Sequence, residues 1–238
     1  KKPMPSAGGL AVVSAFSIAT LILMPMIVQV SLHGKTYFEY VWPVVVGGGT
    51  IALTGLIDDV KELAPLPKLI GMIIAASLIW FLTDFRLNDF KFPFGGPHLF
   101  FPPWLSFILT IIWIVSITNA VNLMDGLDGL VSGVSIISLL TMGIVSYFFL
   151  PDHNLFLTLT IFVLVAAIAG FFPYNYHPAI IYGGDTGALF IGFMISVLSL
   201  QGLKNATAVA VVTPMIILGV PIADTFLAIV RRKLSGKK

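Results

Sequence analysis

The chain has 238 residues, of which 58% are hydrophobic and 10% charged, with a mean hydropathy of +1.01 and no cysteine. Soluble domains carry about 25% charged residues, so this is the composition of a polytopic membrane protein, and a disulfide framework or a zinc–thiolate centre is excluded. The formal net charge of +2 comes without a basic stripe, which argues against nucleic acid as a partner.

A membrane-spanning helix needs about 20 apolar residues. Eight such runs are predicted, over 9–30, 41–57, 68–84, 103–119, 130–150, 154–172, 186–203 and 206–230, giving an all-α fold in one domain over 1–238. The first run is long enough to be expected to span the membrane rather than to be a cleaved signal peptide. With eight spans both termini share a side. That side receives Lys1, Lys2, Lys61, Lys68, Arg231, Arg232, Lys233, Lys237 and Lys238, against Lys35, Arg86, Lys91 and Lys204 on the other. The excess of Lys and Arg makes the first side cytoplasmic. Asp58, Asp59, Glu62, Asp125, Asp128, Asp185 and Asp224 fall there too.

The first cytoplasmic loop is expected to hold Asp58-Asp59-Val60-Lys61 and Lys68. Adjacent carboxylates at the end of an apolar span are costly unless solvated or paired with a cation. Such a pair suits a metal or a proton acceptor, and Lys61 and Lys68 suit phosphate as point charges. The plain alternative is an ordinary loop with positive-inside lysines. The longest loop, 84–103, is external. Its Asp89-Phe-Lys-Phe-Pro-Phe-Gly-Gly stretch predicts a small hairpin lying on the membrane. His33, His98 and His153 are expected to be scattered, solvated external residues.

The central stretch, Thr118-Asn-Ala-Val-Asn-Leu-Met-Asp-Gly-Leu-Asp-Gly-Leu130, repeats a polar residue every third position: Asn119, Asn122, Asp125 and Asp128. In a helix each such step turns about 300°, so the four fan over roughly half the surface. Converging oxygens of this kind suit a hard divalent cation, a sugar hydroxyl or a nucleoside. Helix capping by Asn, Asp and Gly explains one or two of them, not four.

A third stretch runs from Pro173 through Asn175, His177-Pro178 and Gly183-Gly184-Asp185-Thr186-Gly187. Asp185 or Thr186 is expected to cap the following span, whose positive N-terminus favours phosphate. His177, beside Tyr176 and Pro178, reads as structural. Near the C-terminus Asp224 precedes Arg231 and Arg232, which suit anionic lipid headgroups or a pyrophosphate.

Together, Asp58-Asp59-Val60-Lys61, Asn119-Ala-Val-Asn122-Leu-Met-Asp125-Gly-Leu-Asp128-Gly, and Asn175-Tyr-His-Pro178-Ala with Gly184-Asp185-Thr186-Gly187 resemble the motifs of the polyprenyl-phosphate N-acetylhexosamine-1-phosphate transferases, the MraY/WecA/TagO superfamily. The likeness covers nearly the whole chain. Pro3-Met-Pro-Ser-Ala-Gly8-Gly9 and Met124 resemble the WecA/TagO branch. The resemblance implies transfer of N-acetylglucosamine-1-phosphate from UDP-GlcNAc to undecaprenyl phosphate, with release of UMP. This would be the first membrane step of a teichoic-acid or O-antigen type of glycan, at the cytoplasmic face of a bacterial plasma membrane. It implies Mg²⁺, with Mn²⁺ as a substitute, held by Asp185 and Asn122.

By the same resemblance Asp58 accepts a proton or positions the acceptor, with Asp59 in support. Asp125 and Asp128 hold the nucleotide or the metal shell. Lys68, Lys61, Asn119, Asn175, Arg231 and Arg232 contact substrate. A homodimer is also implied. Family members have a further helix before the Gly-Gly segment, and a His-x-His-His loop with more helices after the Arg-rich end. The chain is therefore expected to be a piece of a longer protein. Competing expectations are phospho-MurNAc-pentapeptide transfer, a secondary transporter, an intramembrane aspartyl protease and a lipid-binding scaffold.

Overall fold

The computed structural model describes residues 7–32, 34–91, 98–148 and 155–205. Within them, seven helical segments are long and apolar enough to cross a membrane, and the protein is an all-α integral membrane protein. The predicted eighth span, 206–230, lies outside the described residues, as do Asp224, Arg231 and Arg232.

The first crossing joins α1 (Gly8–Ile18), a π-helical turn (Ala19–Leu23) and α2 (Met24–Ile27). Pro25 has no N–H to donate and its ring crowds the carbonyl one turn back; the widened turn before it accommodates the break. There follow α3 (Tyr37–Lys61), α4 (Pro65–Leu82), α5 (Pro103–Met124), α6 (Leu130–Phe148), α7 (Leu155–Asn175) and α8 (Gly184–Asn205).

Helix ends differ from the predicted spans for local reasons. A capping box starts α3 at Tyr37 rather than 41. Thr36 Oγ1 accepts from the Glu39 N–H, and the Glu39 carboxylate accepts the Thr36 N–H at 2.7 Å. Glu62, at φ 48°, ends that helix after Lys61 rather than at 57. Asp58 and Asp59 therefore stand on the last helical turn and not in a loop. Likewise α5 runs on to Met124, with Asp125 as its C-cap. Asn119 and Asn122 are helical as expected, but Asp125 and Asp128 lie in the turn between α5 and α6, which corrects the four-residue helical fan.

The central element is α8. It is buried along most of its length, with Leu189, Phe193, Met194, Val197 and Leu198 fully enclosed. It packs against α1, α3 and α5, while α6 pairs with α7 and α4 bridges α3 and α5. Buried polar side chains tie the helices together in apolar surroundings. Trp113 Nε1–H donates to Ser199 Oγ at 3.1 Å between α5 and α8, and Tyr37 and Thr160 share a hydrogen bond of 3.1 Å between α3 and α7. Exposed Ile22, Met26, Phe81 and Phe148 present an outer surface suited to lipid.

Successive helices alternate direction. One end of the bundle carries the start of α1, the α3–α4 and α5–α6 turns, and the loop from α7 to α8. The other end carries the predicted hairpin. There β1 (Asp89–Lys91) pairs antiparallel with β2 (His98–Phe100), with Phe90 opposite Leu99.

Candidate active site

The site begins where α3 meets α8. A Cβ at Gly55 would lie 2.6 Å from Thr186 Cα and 2.7 Å from the Asp185 carbonyl oxygen, so only glycine lets the two backbones approach here. One turn later Asp59 reaches the start of α8. Its Oδ1 accepts the Asp185 N–H at 2.7 Å. Its Oδ2 accepts the Thr186 N–H at 3.1 Å and the Thr186 hydroxyl at 2.6 Å. The first N–H groups of a helix have no partner within it, and a carboxylate there also meets the positive end of the dipole. The cap of α8 thus comes from 126 residues away in sequence. This corrects the expectation that Asp185 or Thr186 caps its own helix and leaves the N-terminus to phosphate.

Asp58, the preceding residue, takes different partners at the same junction. It is 6% exposed. Its Oδ1 accepts the Leu63 N–H at 2.7 Å and its Oδ2 pairs with Lys68 Nζ at 2.6 Å. Lys68 stands in the first turn of α4, and its ammonium also pairs with Asp185 Oδ1 at 2.6 Å. The Asn122 side-chain amide, from α5, donates to that same oxygen. One ammonium therefore bridges α3 and α8, and one Asp185 oxygen gathers donors from α4 and α5. In this arrangement the Asn122 amide nitrogen donates to Asp185, and Asn122 also lines the cleft described below.

An open cleft of about 380 Å³ lies over this cluster, lined by Asp59, Asn122, Asp125, Asp128, Tyr182 and Asp185 among others. Asp125 faces the cleft. Its carboxyl is pushed up to about 6 by partial burial against the cleft wall, then by the negative charge of Asp185 and Asp59. Asp128 is held below the usual carboxylate range, first by the Ala179 N–H at 3.1 Å and then by His177, whose Nδ1 lies 3.0 Å away. The Tyr182 hydroxyl also bonds Asp128, which raises the pKa of the phenol. Asp128 thereby pins the α7–α8 loop to the α5–α6 turn. The same loop is fastened to α1, where the Gly8 and Gly9 N–H groups donate to the Tyr182 and Gly183 carbonyls at 3.0 Å each. A side chain at Gly9 would run into the backbone of Gly183 and Gly187.

The structure thus brings together Asp58, Asp59, Lys68, Asn122, Asp125, Asp128 and Asp185. Three other expected residues are placed elsewhere. Asn175 is buried in the wall, accepting from Ser132 Oγ at 2.9 Å and donating to the Ile181 carbonyl at 3.2 Å. Asn119 and Lys61 are exposed and do not line the cleft. Arg231 and Arg232 lie outside the described residues. Tyr182 was not anticipated. Its only sequence signal is its place two residues before Gly184-Asp185.

Among the described residues, no group of three or more His, Cys, Asp or Glu forms a closed metal cage. The donors still fit Mg²⁺, which takes one or two carboxylates and completes its octahedron with water and substrate phosphates. Asp185 opens onto the cleft, Asp125 stands across it, and a cation already sits against Asp185 in the form of the Lys68 ammonium.

The sequence profile of Glycosyl transferase family 4 matches residues 41–203, and the chain belongs to that family, the polyprenyl-phosphate N-acetylhexosamine-1-phosphate transferases. It is 39% identical over 235 residues to a probable undecaprenyl-phosphate N-acetylglucosaminyl 1-phosphate transferase of Bacillus subtilis, covering 98% of this chain and 62% of the relative. It is 35% identical over 254 residues to a decaprenyl-phosphate N-acetylglucosaminephosphotransferase of Mycolicibacterium smegmatis, with 99% and 62% covered. A phospho-N-acetylmuramoyl-pentapeptide-transferase of Oceanobacillus iheyensis is 28% identical over 211 residues, covering 84% and 62%. The chain spans about 62% of the length of these curated relatives.

Proposed function

We propose that the protein of which this chain is part transfers N-acetylglucosamine-1-phosphate from UDP-GlcNAc to undecaprenyl phosphate and releases UMP. The observation that carries this reading is the convergence of Asp59, Asn122, Asp125, Asp128, Asp185 and Lys68 from five segments around one polar cleft at one end of a membrane bundle. The names of the N-acetylglucosaminyl transferases that match nearly the whole chain support the donor. The Lys and Arg balance supports a cytoplasmic placement of the cleft.

In the reaction an oxygen of the lipid phosphate attacks the sugar-proximal phosphorus. The bond from that phosphorus to the bridging oxygen breaks, and UMP leaves with the electron pair. Such transfers depend mainly on positioning and charge neutralisation. Mg²⁺ bound by Asp185, with Asp125 nearby, would neutralise charge developing on the pyrophosphate. Lys68 contributes a mobile positive charge for the phosphates. Asp128 fixes the loop that carries Tyr182 and Gly184, and so shapes the nucleotide side of the cleft. A phosphomonoester has its second pKa near 6, so the lipid phosphate is mostly dianionic at neutral pH and needs no strong base. With both oxygens of Asp58 already engaged, its role on this reading is to orient Lys68.

The test is UMP release by the full-length protein in detergent with undecaprenyl phosphate, Mg²⁺ and either UDP-GlcNAc or UDP-MurNAc-pentapeptide. UMP from UDP-GlcNAc is expected. UMP from the pentapeptide donor alone would assign the muramoyl-pentapeptide reaction instead. Release from neither would favour a transporter or scaffold.

A further inference from the structure

We propose that Lys68 is a resident counter-cation: its ammonium pairs with Asp58 and Asp185 when no divalent cation shares the Asp185 carboxylate, and it moves to phosphate when that cation enters. The inference rests on the functional reading above and deepens it. Among the described residues, Lys68 is the one lysine or arginine ion-paired with the carboxylates of the site. Its ammonium lies 2.6 Å from an oxygen of Asp58 and 2.6 Å from an oxygen of Asp185. It touches the same Asp185 oxygen that accepts the Asn122 amide. That oxygen already carries two donors, so a metal ion bound to Asp185 would share one carboxylate with the Lys68 charge and be repelled by it.

The electrostatics require an occupant. Asp58, Asp59 and Asp185 stand at one helix junction, and only Asp59 is fully engaged by backbone and hydroxyl donors. Like charges gathered at a membrane boundary are costly unless a cation shares them. Lys68 fills that need when no metal is bound. Lysine suits the role because its charge is a compact point on a flexible four-carbon stem, so it can leave without backbone movement. Its side chain is 18% exposed and its ammonium touches Asp185, which lines the cleft, so a phosphate bound beside Asp185 offers it a new partner.

The consequence is thermodynamic. Metal and Lys68 compete for Asp185, so metal alone binds weakly. A nucleotide pyrophosphate gives Lys68 a new partner and removes the competition. Metal and donor nucleotide then bind each other's complexes more tightly, through a lysine as well as through direct coordination.

The experiment is Mn²⁺ binding, read by electron paramagnetic resonance, to the full-length protein in detergent without nucleotide, for wild type, Lys68→Gln and Lys68→Arg. Lys68→Gln is expected to bind Mn²⁺ about tenfold or more tightly, within the range of about 5–150-fold seen for coupled sites. Lys68→Arg is expected to stay near wild type, and UDP to tighten wild type more than Lys68→Gln. Equal or weaker binding by a folded Lys68→Gln overturns the inference while leaving the enzyme reading in place. Absence of Mn²⁺ binding by every form, together with no UMP release, overturns both.

Should Lys68→Gln fail to fold, amine labelling of the wild type answers the same question by mass spectrometry, with exposed Lys35 as internal reference. Saturating Mn²⁺ is expected to raise labelling of Lys68 relative to Lys35. Unchanged or reduced labelling overturns the inference.

Discussion

The two ends of the bundle are ordered by different means. At the hairpin end most of the side-chain contacts are short in sequence: Thr36 with Glu39, Phe85 N–H to Thr83, Ser106 to Asn88 and Leu87 N–H to Thr110 are separated by 3, 2, 18 and 23 residues, while the Tyr37–Thr160 hydrogen bond, across 123, is the long exception. At the site end they are long: Asn122 to Asp185, Lys68 to Asp185 and Asp59 to Thr186 cross 63, 117 and 127 residues. The hairpin end is assembled largely by its own loops, with Tyr37 tying α3 to α7 beneath them. The site end exists only because α3, α4, α5 and α8 pack with their ends level. Changes at the site end should therefore be read in activity, and changes at the hairpin end in local stability alone.

Asp185→Ala removes the group on which α4 and α5 converge. UMP release by the full-length protein should fall by about 10³-fold, the scale of losing a preorganised electrostatic contact. Its melting temperature should stay close to wild type, since Asp58 still pairs with Lys68. Near-normal turnover of this variant would remove Asp185 from the reaction.

Asp59 offers a graded case, because it acts on the site through α8. Asp59→Ala leaves the Asp185 and Thr186 N–H groups without their cap, at a cost of about 1–2 kcal/mol. It also loosens Asp185. Misplacement of about 1 Å costs on the order of 10²-fold in rate, so a fall of about 10- to 100-fold in kcat is expected, with a lower melting temperature. Asp59→Asn keeps one acceptor oxygen and should lie between. A rate loss equal in both variants, with no change in melting, would make Asp59 a direct participant instead of a positioning residue.

This difference between the ends also explains what the sequence disclosed. The apolar runs carry their own signal, so the seven spans of the described residues were legible, and so was the hairpin, from the alternation after Asp89. The motif residues were legible as chemistry: Asp58, Asp59, Asn122, Asp125, Asp128 and Asp185 could be singled out by type and spacing. Their partners were not. Nothing near Asp59 says that it caps a helix beginning at Gly184, because that contact is made by the close approach of Gly55 to α8. Nor does anything near Asn175 say that Ser132 and the Ile181 carbonyl take up its side chain inside the wall. Helix ends differ for the same reason in miniature: the left-handed Glu62, which ends α3 only after Lys61, is a conformation that apolar periodicity does not register.

Asp125 separates electrostatics from packing at the site end. Its carboxyl sits at about 6, above the ordinary 3.8, through partial burial first and then Asp185 and Asp59. The folded chain therefore binds this proton more tightly than the unfolded chain. The stabilisation this gives is full below about 3.8 and is lost as pH rises through about 6. Asp125→Asn keeps the shape without the charge. In EDTA it should melt above wild type at pH 8, with the difference closing by about pH 4. If ionised Asp125 holds the nucleotide or metal shell, wild-type turnover should rise through pH 6 and the variant should lose that limb. An identical pH–rate profile would confine Asp125 to the wall.

The hairpin end supplies the control. Thr36→Ala removes the side-chain acceptor for the Glu39 N–H and half of the capping box at the start of α3. The loss is about 1 kcal/mol, roughly 2–4 °C in melting temperature for a chain of this size. Thr36 and Asp58 sit at opposite ends of α3, a helix of 25 residues, so about 1.5 Å per residue puts them more than 30 Å apart. The cap affects fraying of the first turn, while Gly55 and the buried contacts of Ile51 with the core fix the last turns. Turnover, KM and Mn²⁺ affinity should therefore match wild type. A loss of activity in Thr36→Ala at temperatures where it is fully folded would mean that α3 transmits displacement along its length, and that the two ends are not independent.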